Sequence, residues 1–418
     1  MAVGAMRLNN QPVSTRVLPN GLTLLHTPAP RSSVGYVGVA VRVGARDEAD
    51  DDFGLAHFVE HTIFKGTARR RAWHIINRME AVGGELNAYT TKEETVIYSA
   101  FPGNNPARAA ELIADLVANS QFPSAELEKE REVVADEIDS YLDTPSEAVY
   151  DDFEDMMFEG SPLGHNILGT RKALQNFNSD HCRKYLHRWY VPANMVVFYA
   201  GSMSADRAFT IMERAFAIVE GPAPVRSHSI VPQYRQFEVH KPIESHQAHT
   251  IMGARVGAIG SPDGDATALL TNILGGPGMN SLLNVALREH RGLVYNVEAS
   301  TGIFSDCGAI AIYYGCDPDD NDRCAALVRR TIEQVANGLI TSRRLEMAKK
   351  QYLGQLVVAN ENLENRVLSN ARAQLLLGKV RTAAQAIDQI RAISTADIAR
   401  IAASLLPLSR LTLGPSLD

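Results

Sequence analysis

A four-residue segment in the first half of the chain occurs again in the second half, and this repeat constrains the fold more than any other feature. Val41-Arg42-Val43-Gly44 matches Ala254-Arg255-Val256-Gly257, and the separation between Gly44 and Gly257 is called the repeat offset. Each copy ends a predicted strand and is followed by a Gly/Asp loop and an apolar helix. An internal duplication of about 210 residues accounts for this pattern. The predicted fold class is α+β: two similar sandwich domains, each a mostly antiparallel sheet with helices packed on it.

A proline-rich stretch at residues 220–236 separates the two predicted domains. It contains Pro222, Pro224 and Pro232, which is typical of a linker. We therefore expect one domain at residues 1–219 and a second at residues 237–418. A chain of 418 residues is long enough for two domains of ordinary size.

The composition limits what the chain binds and where it works. The chain is 45% hydrophobic and 21% charged, as globular proteins are, and its net charge of −7 argues against a nucleic-acid partner. No run of about 20 apolar residues predicts a membrane span, and residues 1–11 show no signal-peptide pattern. Four cysteines without C-x-x-C spacing indicate reduced thiols and a cytoplasmic location. They are Cys182, Cys307, Cys316 and Cys324.

The motif H-x-x-E-H, from His57 to His61, lies on a helix predicted over about residues 53–64. Because a helix has about 3.6 residues per turn, the two imidazoles stand one above the other, with Cβ atoms roughly 5–6 Å apart. Two ring nitrogens can then bind one metal ion at roughly 2.0–2.1 Å. Glu60 leans over the same face, where it can act as a general base. This motif is the reverse of H-E-x-x-H and is typical of zinc peptidases.

The second half of the chain does not repeat this motif. At the repeat offset, the positions of the two histidines and the glutamate are filled by aliphatic residues, Leu270, Ile273 and Leu274. Only the first half can therefore hold a metal ion at this place. We expect one Zn2+ ion per chain.

A third ligand is needed, because two histidines on a helix also occur as ordinary core or surface residues. A helix predicted from Ser124 to Tyr141 has an apolar stripe on which Glu130 and Glu137 also fall. A carboxylate buried at such a position is costly unless it is paired with a cation or a metal ion. Other acidic residues already supply the solvated face, which weakens the alternative of two surface glutamates. We expect Glu137 to bind the metal ion and Glu130 to orient a histidine.

Two neutral histidines and one carboxylate leave one coordination position open, which is the arrangement of a catalytic site. Zinc in such a site lowers the pKa of a bound water toward about 7. Glu60 can take the proton of this water and later pass it to the leaving amine, so the sequence predicts amide hydrolysis without a covalent intermediate. Zinc is the default ion for these ligands, although His/Glu sites also accept cobalt or manganese.

At these residues the sequence resembles the pitrilysin/insulinase superfamily of zinc peptidases, especially its short members similar to the mitochondrial processing peptidase. The resemblance covers nearly the whole chain. Its motifs are Leu18 to Leu22, Gly54 to His61, Phe64 to Thr67 and Gly83 to Thr90. The family's distal glutamate, on a helix well beyond the second histidine, corresponds to Glu137, and its partner earlier on that helix corresponds to Glu130.

The resemblance also implies two substrate-binding elements. Asn87 and Ala88 lie on the strand that, in the family, pairs with an extended peptide backbone; by itself the pattern also fits a core strand after a Gly-Gly turn. In the second half, the segment from Leu287 to Tyr295 resembles the family's Arg/Tyr pair, which gives Arg288 and Tyr295. A guanidinium and a phenol could bind the substrate and stabilise the oxyanion. Without the resemblance, Arg288 would be interpreted as a helix-surface residue.

Long members of the superfamily consist of two halves that close as a clamshell, and each half resembles this entire chain. The resemblance therefore implies that the chain is one half of a clamshell. In the family, the Arg/Tyr pair of one half faces the zinc ion of the other. Because this chain carries both elements, we expect a homodimer in which Arg288 and Tyr295 complete the partner's site, with an extended or unfolded peptide as substrate.

Two alternatives stay open at this point. Some proteins of this fold are non-catalytic, such as core proteins of respiratory complexes or inactive processing partners, and these usually lose part of the zinc set. His57, Glu60, His61, Glu130 and Glu137 are all present in this chain, which favours an active enzyme. The other alternative is an active subunit that needs a different protein as its second half.

Overall fold

The computed structural model describes residues 12–226 and 231–416 of the 418-residue chain. Residues 1–11, on which the expectation of no signal peptide depends, lie outside the described residues. Residues 227–230 of the predicted linker also lie outside them. Within the described part, none of the helices combines the length and the apolar character needed to cross a membrane.

Strands and α-helices account for most of the described residues, with short 3-10 turns and one π-helix between them. The strands are β1 (Ser14–Val17), β2 (Thr23–Pro28), β3 (Val34–Val41), β4 (Glu85–Thr90), β5 (Thr95–Pro102), β6 (Met195–Gly201), β7 (Glu238–Pro242), β8 (Ala248–Val256), β9 (Val294–Ile303), β10 (Gly308–Cys316) and β11 (Ser409–Gly414). The helices are α1 (Leu55–Thr62), α2 (Ala72–Glu80), α3 (Pro106–Asn119), α4 (Ser124–Leu142), α5 (Pro145–Met157), α6 (Arg171–Leu174), α7 (Ser179–Trp189), α8 (Ala205–Phe216), α9 (Gly264–Gly275), α10 (Asn321–Ala336), α11 (Ser342–Glu361), α12 (Leu363–Leu377), α13 (Ala383–Ala392) and α14 (Thr395–Ser404).

The first sheet has the strand order β1-β2-β6-β3-β5-β4. Neighbouring strands are antiparallel except β2 and β6, which run parallel. The β1–β2 hairpin turns at Asn20-Gly21, where Gly21 has a φ of +88° that glycine adopts without steric cost. Strand β6 is apolar along its length and buried at every residue, because it lies inside the sheet between β2 and β3.

The five strands of the second sheet repeat five of the six strands of the first, all except β1. Its order, β7-β11-β8-β10-β9, matches β2-β6-β3-β5-β4, and its parallel pair, β7 with β11, matches β2 with β6. Strand β5 begins at Thr95 and β10 at Gly308, and these two positions are again separated by the repeat offset. The predicted α+β fold of two similar domains is confirmed.

The chain divides into two compact units, and neither is contiguous in sequence. The first contains residues 12–139, 165–226 and 358–382, and the second contains residues 140–164, 231–357 and 383–416. The predicted contiguous domains, 1–219 and 237–418, differ from these units by the exchange of two segments. Helix α5, from the first half, packs on β8 and β11 of the second unit, whereas α12, from the second half, packs on β2, β3 and β6 of the first.

Apolar side chains explain where the two exchanged helices lie. Helix α5 buries Val149, Phe153 and Met157 against the second sheet. Helix α12 buries Val367 and Ala371 against the first sheet. Each helix follows the long helix of its own half, α4 or α11, so the exchange is reciprocal and part of the duplication.

The two faces of the first sheet are covered by different helices. The larger core lies on one face, where side chains of α1, α3, α4, α7 and α8 pack against the strands. Alternate residues of β3 divide between the faces: Val37, Val39 and Val41 belong to this larger core, whereas Ala40 packs under α12. The sheet thus holds α1 and α4 on the same side, where the histidine motif and the distal glutamate can meet.

Strand β4 ends the first sheet, and among the described residues its outer edge pairs with no other strand. Its inner edge pairs with β5, with Asn87 opposite Tyr98 and Ala88 opposite Ile97. Helix α1 packs beside β4. An open sheet edge therefore lies next to the helix that carries the motif.

Candidate metal centre

Helix α1 brings His57 and His61 together, as the motif predicts. The apolar residues of the helix, Leu55, Phe58 and Val59, are buried in the core of the first unit and fix its position. The centroids of the two imidazole rings are 4.5 Å apart, and the ring planes are inclined by 63°. One turn of helix thus places two ring nitrogens within reach of one ion.

Helix α4 adds Glu137 to the two histidines. Its Oε2 atom lies 3.7 Å from Nε2 of His57 and 3.5 Å from Nε2 of His61. The ligands of a tetrahedral zinc ion, at roughly 2.0–2.1 Å from the metal, lie about 3.3 Å from one another. One potential ligand atom from each side chain lies within 4.8 Å of the others, so the group fits a zinc ion with small adjustments.

The two glutamates of α4 differ in burial, which the sequence pattern did not predict. Glu130 is only 9% exposed, as expected for a residue on the apolar stripe. The side chain of Glu137 is 44% exposed, although it falls on the same stripe. Glu137 lies close to the end of α4, at Leu142, where fewer side chains cover the helix. Its exposure leaves the group of three ligands accessible from solvent.

Burial controls the protonation of His57. The side chain is 7% exposed, and this burial, together with the neighbouring His61, lowers the pKa of His57 to about 3. Since a metal ion binds the neutral imidazole, His57 is ready for a metal ion at neutral pH without losing a proton.

A partly buried ion pair between Glu130 and Lys65 lies next to His61. Nδ1 of His61 lies 3.1 Å from Oε1 of Glu130, and Oε2 of Glu130 lies 2.5 Å from Nζ of Lys65. A carboxylate in this position accepts a hydrogen bond from Nδ1–H, which leaves the lone pair of Nε2 directed toward Glu137. Glu130 thus occupies the orienting position that the sequence predicts.

Glu60 is on α1, and its carboxylate lies near Thr90 of the edge strand β4. Burial raises the pKa of Glu60, the nearby polar groups of Thr90 and the charge of His61 lower it, and the charge of Glu137 raises it. The net shift is upward, toward the pH range in which a general base is most effective. Because Thr90 is the last residue of β4, its proximity places Glu60 beside the strand on which Asn87 and Ala88 lie.

The predicted Arg/Tyr pair lies in the second unit. Arg288 is on a short π-helix, Asn284–Glu289, and Tyr295 is the second residue of β9. Both side chains are exposed, and Tyr295 is 84% exposed. Both side chains are therefore accessible from solvent.

Lys65 and Thr90 are contacts of the site that the sequence analysis did not identify. Lys65 stands four residues after His61, but α1 ends at Thr62 and Lys65 lies in the 3-10 turn Ile63–Lys65, so regular helical spacing does not place it. Thr90 stands two residues after Ala88, so both point to the same face of β4. Lysine and threonine are not usual metal ligands, so the ligand pattern in the sequence does not include them.

Two protein-family models match adjoining parts of the chain. The model of the insulinase family, peptidase family M16, matches residues 24–171, and the model of the peptidase M16 inactive domain matches residues 176–352. The first match contains all the candidate ligands. The second includes the stretch in which Leu270 and Leu274 replace the histidines.

Curated relatives resemble the chain over almost all of its length. The uncharacterized zinc protease YmxG of Bacillus subtilis is 31% identical over 386 residues, which cover 92% of this chain and 94% of the relative. The uncharacterized zinc protease Rv2782c of Mycobacterium tuberculosis is 33% identical over 398 residues, which cover 93% of this chain and 90% of the relative.

Solved structures share the fold at lower identity. A peptidase M16 inactive domain from Pseudomonas fluorescens superposes with a TM-score of 0.90 at 17% identity, over 98% of this chain and 99% of that one. A protease from Helicobacter pylori superposes with a TM-score of 0.88 at 21% identity, over 97% of this chain and 100% of that one. These likenesses establish the same architecture in three proteins of very different sequence.

Proposed function

The chain belongs to the insulinase family of peptidases, family M16, and from this premise we propose that it is a zinc-dependent endopeptidase. The observation that carries the proposal is the convergence of Nε2 of His57, Nε2 of His61 and Oε2 of Glu137, with Glu60 on the same helix. The relatives named as zinc proteases support zinc over cobalt or manganese. One zinc ion per chain is expected, because the second unit lacks the motif.

The chemistry follows from the side chains around this group. When bound, a zinc ion supplies a Lewis acid that polarises the scissile carbonyl and acidifies a water molecule. Glu60 accepts the proton of the attacking water and then donates it to the nitrogen of the leaving amine. Its raised pKa makes the carboxylate a stronger base than an exposed glutamate. Glu130 and Lys65 keep His61 in one tautomer throughout.

We assign substrate binding to the open edge of β4. A peptide in extended conformation can add to this edge as a further strand, through hydrogen bonds with the backbone of Asn87 and Ala88. Backbone pairing of this kind tolerates many sequences. It also requires that the substrate be unfolded, because a folded protein does not offer an unpaired strand. The expected substrates are therefore unfolded or extended peptides.

The proposal includes a homodimer in which Arg288 and Tyr295 act on the partner's site. Their exposure in the second unit supports a role toward another molecule. Mixed dimers test the arrangement. Arg288→Ala and Glu60→Gln chains should each be weakly active alone and should regain activity when mixed, because one site then has a complete set. No recovery on mixing, or a monomer in size-exclusion chromatography, would contradict action in trans. An active complex that forms only with a different protein would favour the heterodimer alternative.

A cytoplasmic location is the remaining part of the proposal, and it rests on the sequence. Fractionation of cells that produce the chain at its natural level provides the test. The chain should remain with cytoplasmic marker enzymes, and recovery with secreted or membrane markers would contradict the location.

A non-catalytic subunit of the same fold is the second candidate function. It is favoured by the match of residues 176–352 to a model described as inactive. That match covers the half without the motif, whereas the half with the motif matches the insulinase model. The complete set of ligands and base in the first unit supports the enzyme over the non-catalytic subunit.

The deciding experiment measures metal content and peptide cleavage on the same samples. Wild type, Glu60→Gln and a control variant, Glu80→Gln, are compared, since Glu80 is an exposed glutamate on α2. Cleavage of a quenched fluorescent peptide is followed with and without a chelator. The wild type and Glu80→Gln should bind about one zinc ion per chain and show chelator-sensitive cleavage, whereas Glu60→Gln should bind zinc and cleave the peptide far more slowly.

Three other results would revise the proposal. Near-full activity in Glu60→Gln would remove the proposed base. Bound zinc without cleavage of varied peptides would indicate a missing partner subunit. Neither zinc nor cleavage in the wild type would favour the non-catalytic function.

A further inference from the structure

A buried carboxylate contacts the first turn of the helix that carries the candidate ligands. The side chain of Glu48 is fully buried. Its Oε2 atom accepts a hydrogen bond from the backbone N–H of Gly54 at 2.9 Å, and its Oε1 atom accepts one from Ala56 at 2.6 Å. These donors have no partner within the helix, because the first N–H groups of any helix lack one. Glu48 therefore caps α1 from outside the helix.

The same carboxylate ties α1 to a distant part of the chain. Nε2 of His165 lies 2.9 Å from Oε2 of Glu48. The imidazole of His165 stacks on the ring of Phe53, with centroids 3.8 Å apart and planes inclined by 8°. Nζ of Lys92 also donates to the backbone carbonyl of His165. The start of α1 is thus tied through Glu48 to the segment that begins at His165, and Lys92 of the β4–β5 turn binds that segment.

Two glycines let this segment touch the start of the helix. Gly54 has a φ of +98°, and a Cβ atom there would lie 2.6 Å from the carbonyl oxygen of Leu168. Gly169 has a φ of +72°, and a Cβ atom there would overlap the carbonyl of Phe53. Side chains at either position would push the two backbones apart. The contact between them is therefore close and specific.

Burying Glu48 is costly, so its position needs a reason beyond packing. Burial raises the pKa of Glu48 well above its usual range, and the N–H groups of Ala56 and Gly54 and the charge of Lys92 only partly oppose this effect. The second unit shows that the corresponding helix forms without such a group. At the repeat offset, Ser261 stands in place of Glu48, and α9 begins after Asp263 without a side-chain cap.

We propose that Glu48 and His165 are positioning residues of the metal centre. His57 lies within one helical turn of Gly54, so the place and rotation of the first turn decide where both imidazoles meet the carboxylate of Glu137. Helix α1 has only eight residues, so apolar packing fixes its place in the core, and the polar contacts of Glu48 order its first turn. This inference rests on the proposed zinc site, and it adds two residues that act on the ligands through the helix backbone.

The test measures two quantities on each variant, the affinity for zinc and the local order of α1. Glu48→Gln keeps the shape but replaces one acceptor oxygen by an NH2 group, which cannot accept a hydrogen bond from the backbone N–H of Gly54 or Ala56. His165→Phe keeps the stacking on Phe53 but removes the hydrogen bond to Glu48. The matched control is Ser394→Ala, which removes a helix cap in the second unit, where Oγ of Ser394 accepts from the N–H of Asp397. Zinc dissociation constants come from competition with a chelator of known affinity. Hydrogen exchange of residues 53–62 and thermal unfolding are measured on the zinc-free proteins.

Both site variants should bind zinc about 10- to 100-fold more weakly than the wild type and should exchange the amides of the first turn of α1 faster. Ser394→Ala should bind zinc as the wild type does, even if it unfolds at a lower temperature. Unchanged affinity in folded Glu48→Gln and His165→Phe would overturn the inference, and so would an equal loss in Ser394→Ala. A wild type that binds no zinc would instead remove the proposed function, which distinguishes the two failures.

Discussion

Helices α1 and α9 occupy the same place in the two copies of the repeat, and they use it differently. Each packs beside the strand that ends its sheet, β4 or β9. At the positions equivalent to the two histidines, α9 has Leu270 and Leu274, both completely buried. Helix α1 has a histidine that is buried and a second that is half-buried at these positions. Apolar side chains at these two positions are enough for the fold, as α9 shows. The histidines of α1 are therefore not needed for packing.

The first unit supports its polar residues with further polar groups, and this is the main physical difference between the copies. Burying an imidazole or a carboxylate costs free energy unless it has a partner. Glu130 and Lys65 supply such partners beside His61. The second unit needs none of them, because aliphatic side chains fill the same space. A site in this fold thus requires a set of residues and not only the motif.

The largest effect should come from giving α1 the residue of α9. His57→Leu should lose both zinc and peptide cleavage, because two remaining ligands cannot hold the ion. The zinc-free variant should be at least as stable as zinc-free wild type, since an aliphatic side chain replaces a buried imidazole. Metal analysis, cleavage assays and thermal unfolding check these outcomes. His187→Leu, at an exposed histidine of α7, is the control and should keep one zinc ion. Zinc retained in His57→Leu would show that His57 is not a ligand.

The next effect separates catalysis from metal binding within the first unit. Glu60→Gln should lower kcat by about 10²- to 10⁴-fold while zinc content stays at about one per chain, because the amide cannot accept the proton. Steady-state kinetics and metal analysis on one preparation measure both quantities. An equal loss of zinc and of activity would mean that Glu60 maintains the metal centre and is not the base.

A substitution in the second unit should change stability without changing the metal centre. Leu274→Ala should lower the free energy of unfolding by about 2–5 kcal/mol, because it leaves a cavity at a fully buried position. Zinc content of the folded protein should remain at about one per chain. Urea unfolding and metal analysis provide the measurements. A change in zinc affinity in this variant would contradict the division of roles between the two copies.

The smallest effect concerns a buried carboxylate of the first unit. Burial raises the pKa of Glu94 to about 7, although the charge of Arg372 opposes the shift. Because this value lies above the ordinary 4.5, the contribution of Glu94 to stability is fully present below pH 4.5 and is lost as the pH rises through 7. Glu94→Gln should lack this dependence. Between pH 4.5 and 8, its free energy of unfolding should gain up to about 3 kcal/mol relative to the wild type. Parallel curves for both proteins would show that Glu94 does not titrate in this range.

Local structure was predictable because each element carries its own signal in the sequence. The helix predicted from Ser124 to Tyr141 spans Ser124–Leu142 in the structure, because its apolar residues recur with the helical period. The short match at Gly44 and Gly257 was enough to predict the duplication, which the two sheets repeat strand by strand. The grouping of His57, His61 and Glu137 followed from helical spacing and the family resemblance.

Long-range relations were not predictable in the same way. An amphipathic helix such as α5 shows an apolar face, but nothing in its sequence tells which sheet that face covers. The predicted domain boundaries follow the order of the chain, whereas α5 and α12 each lie in the compact unit that contains the other half's sheet. The contacts of Glu48 with α1 and His165 join residues far apart in the chain, and a single sequence gives no signal for them. The exposure of Glu137 also depends on what surrounds the end of α4.

The exchange of α5 and α12 bears on how the gene for this protein could be divided. A cut within residues 220–236 would leave each fragment with the helix that covers the other fragment's sheet. The N-terminal fragment would expose the apolar face now under α12, and the C-terminal fragment would expose the face now under α5. Each fragment expressed by itself would tend to aggregate, and each could rescue the other only by donating its helix. Each half of the duplication therefore depends on the other half for one of its covering helices, and a cut between the halves separates each sheet from that helix.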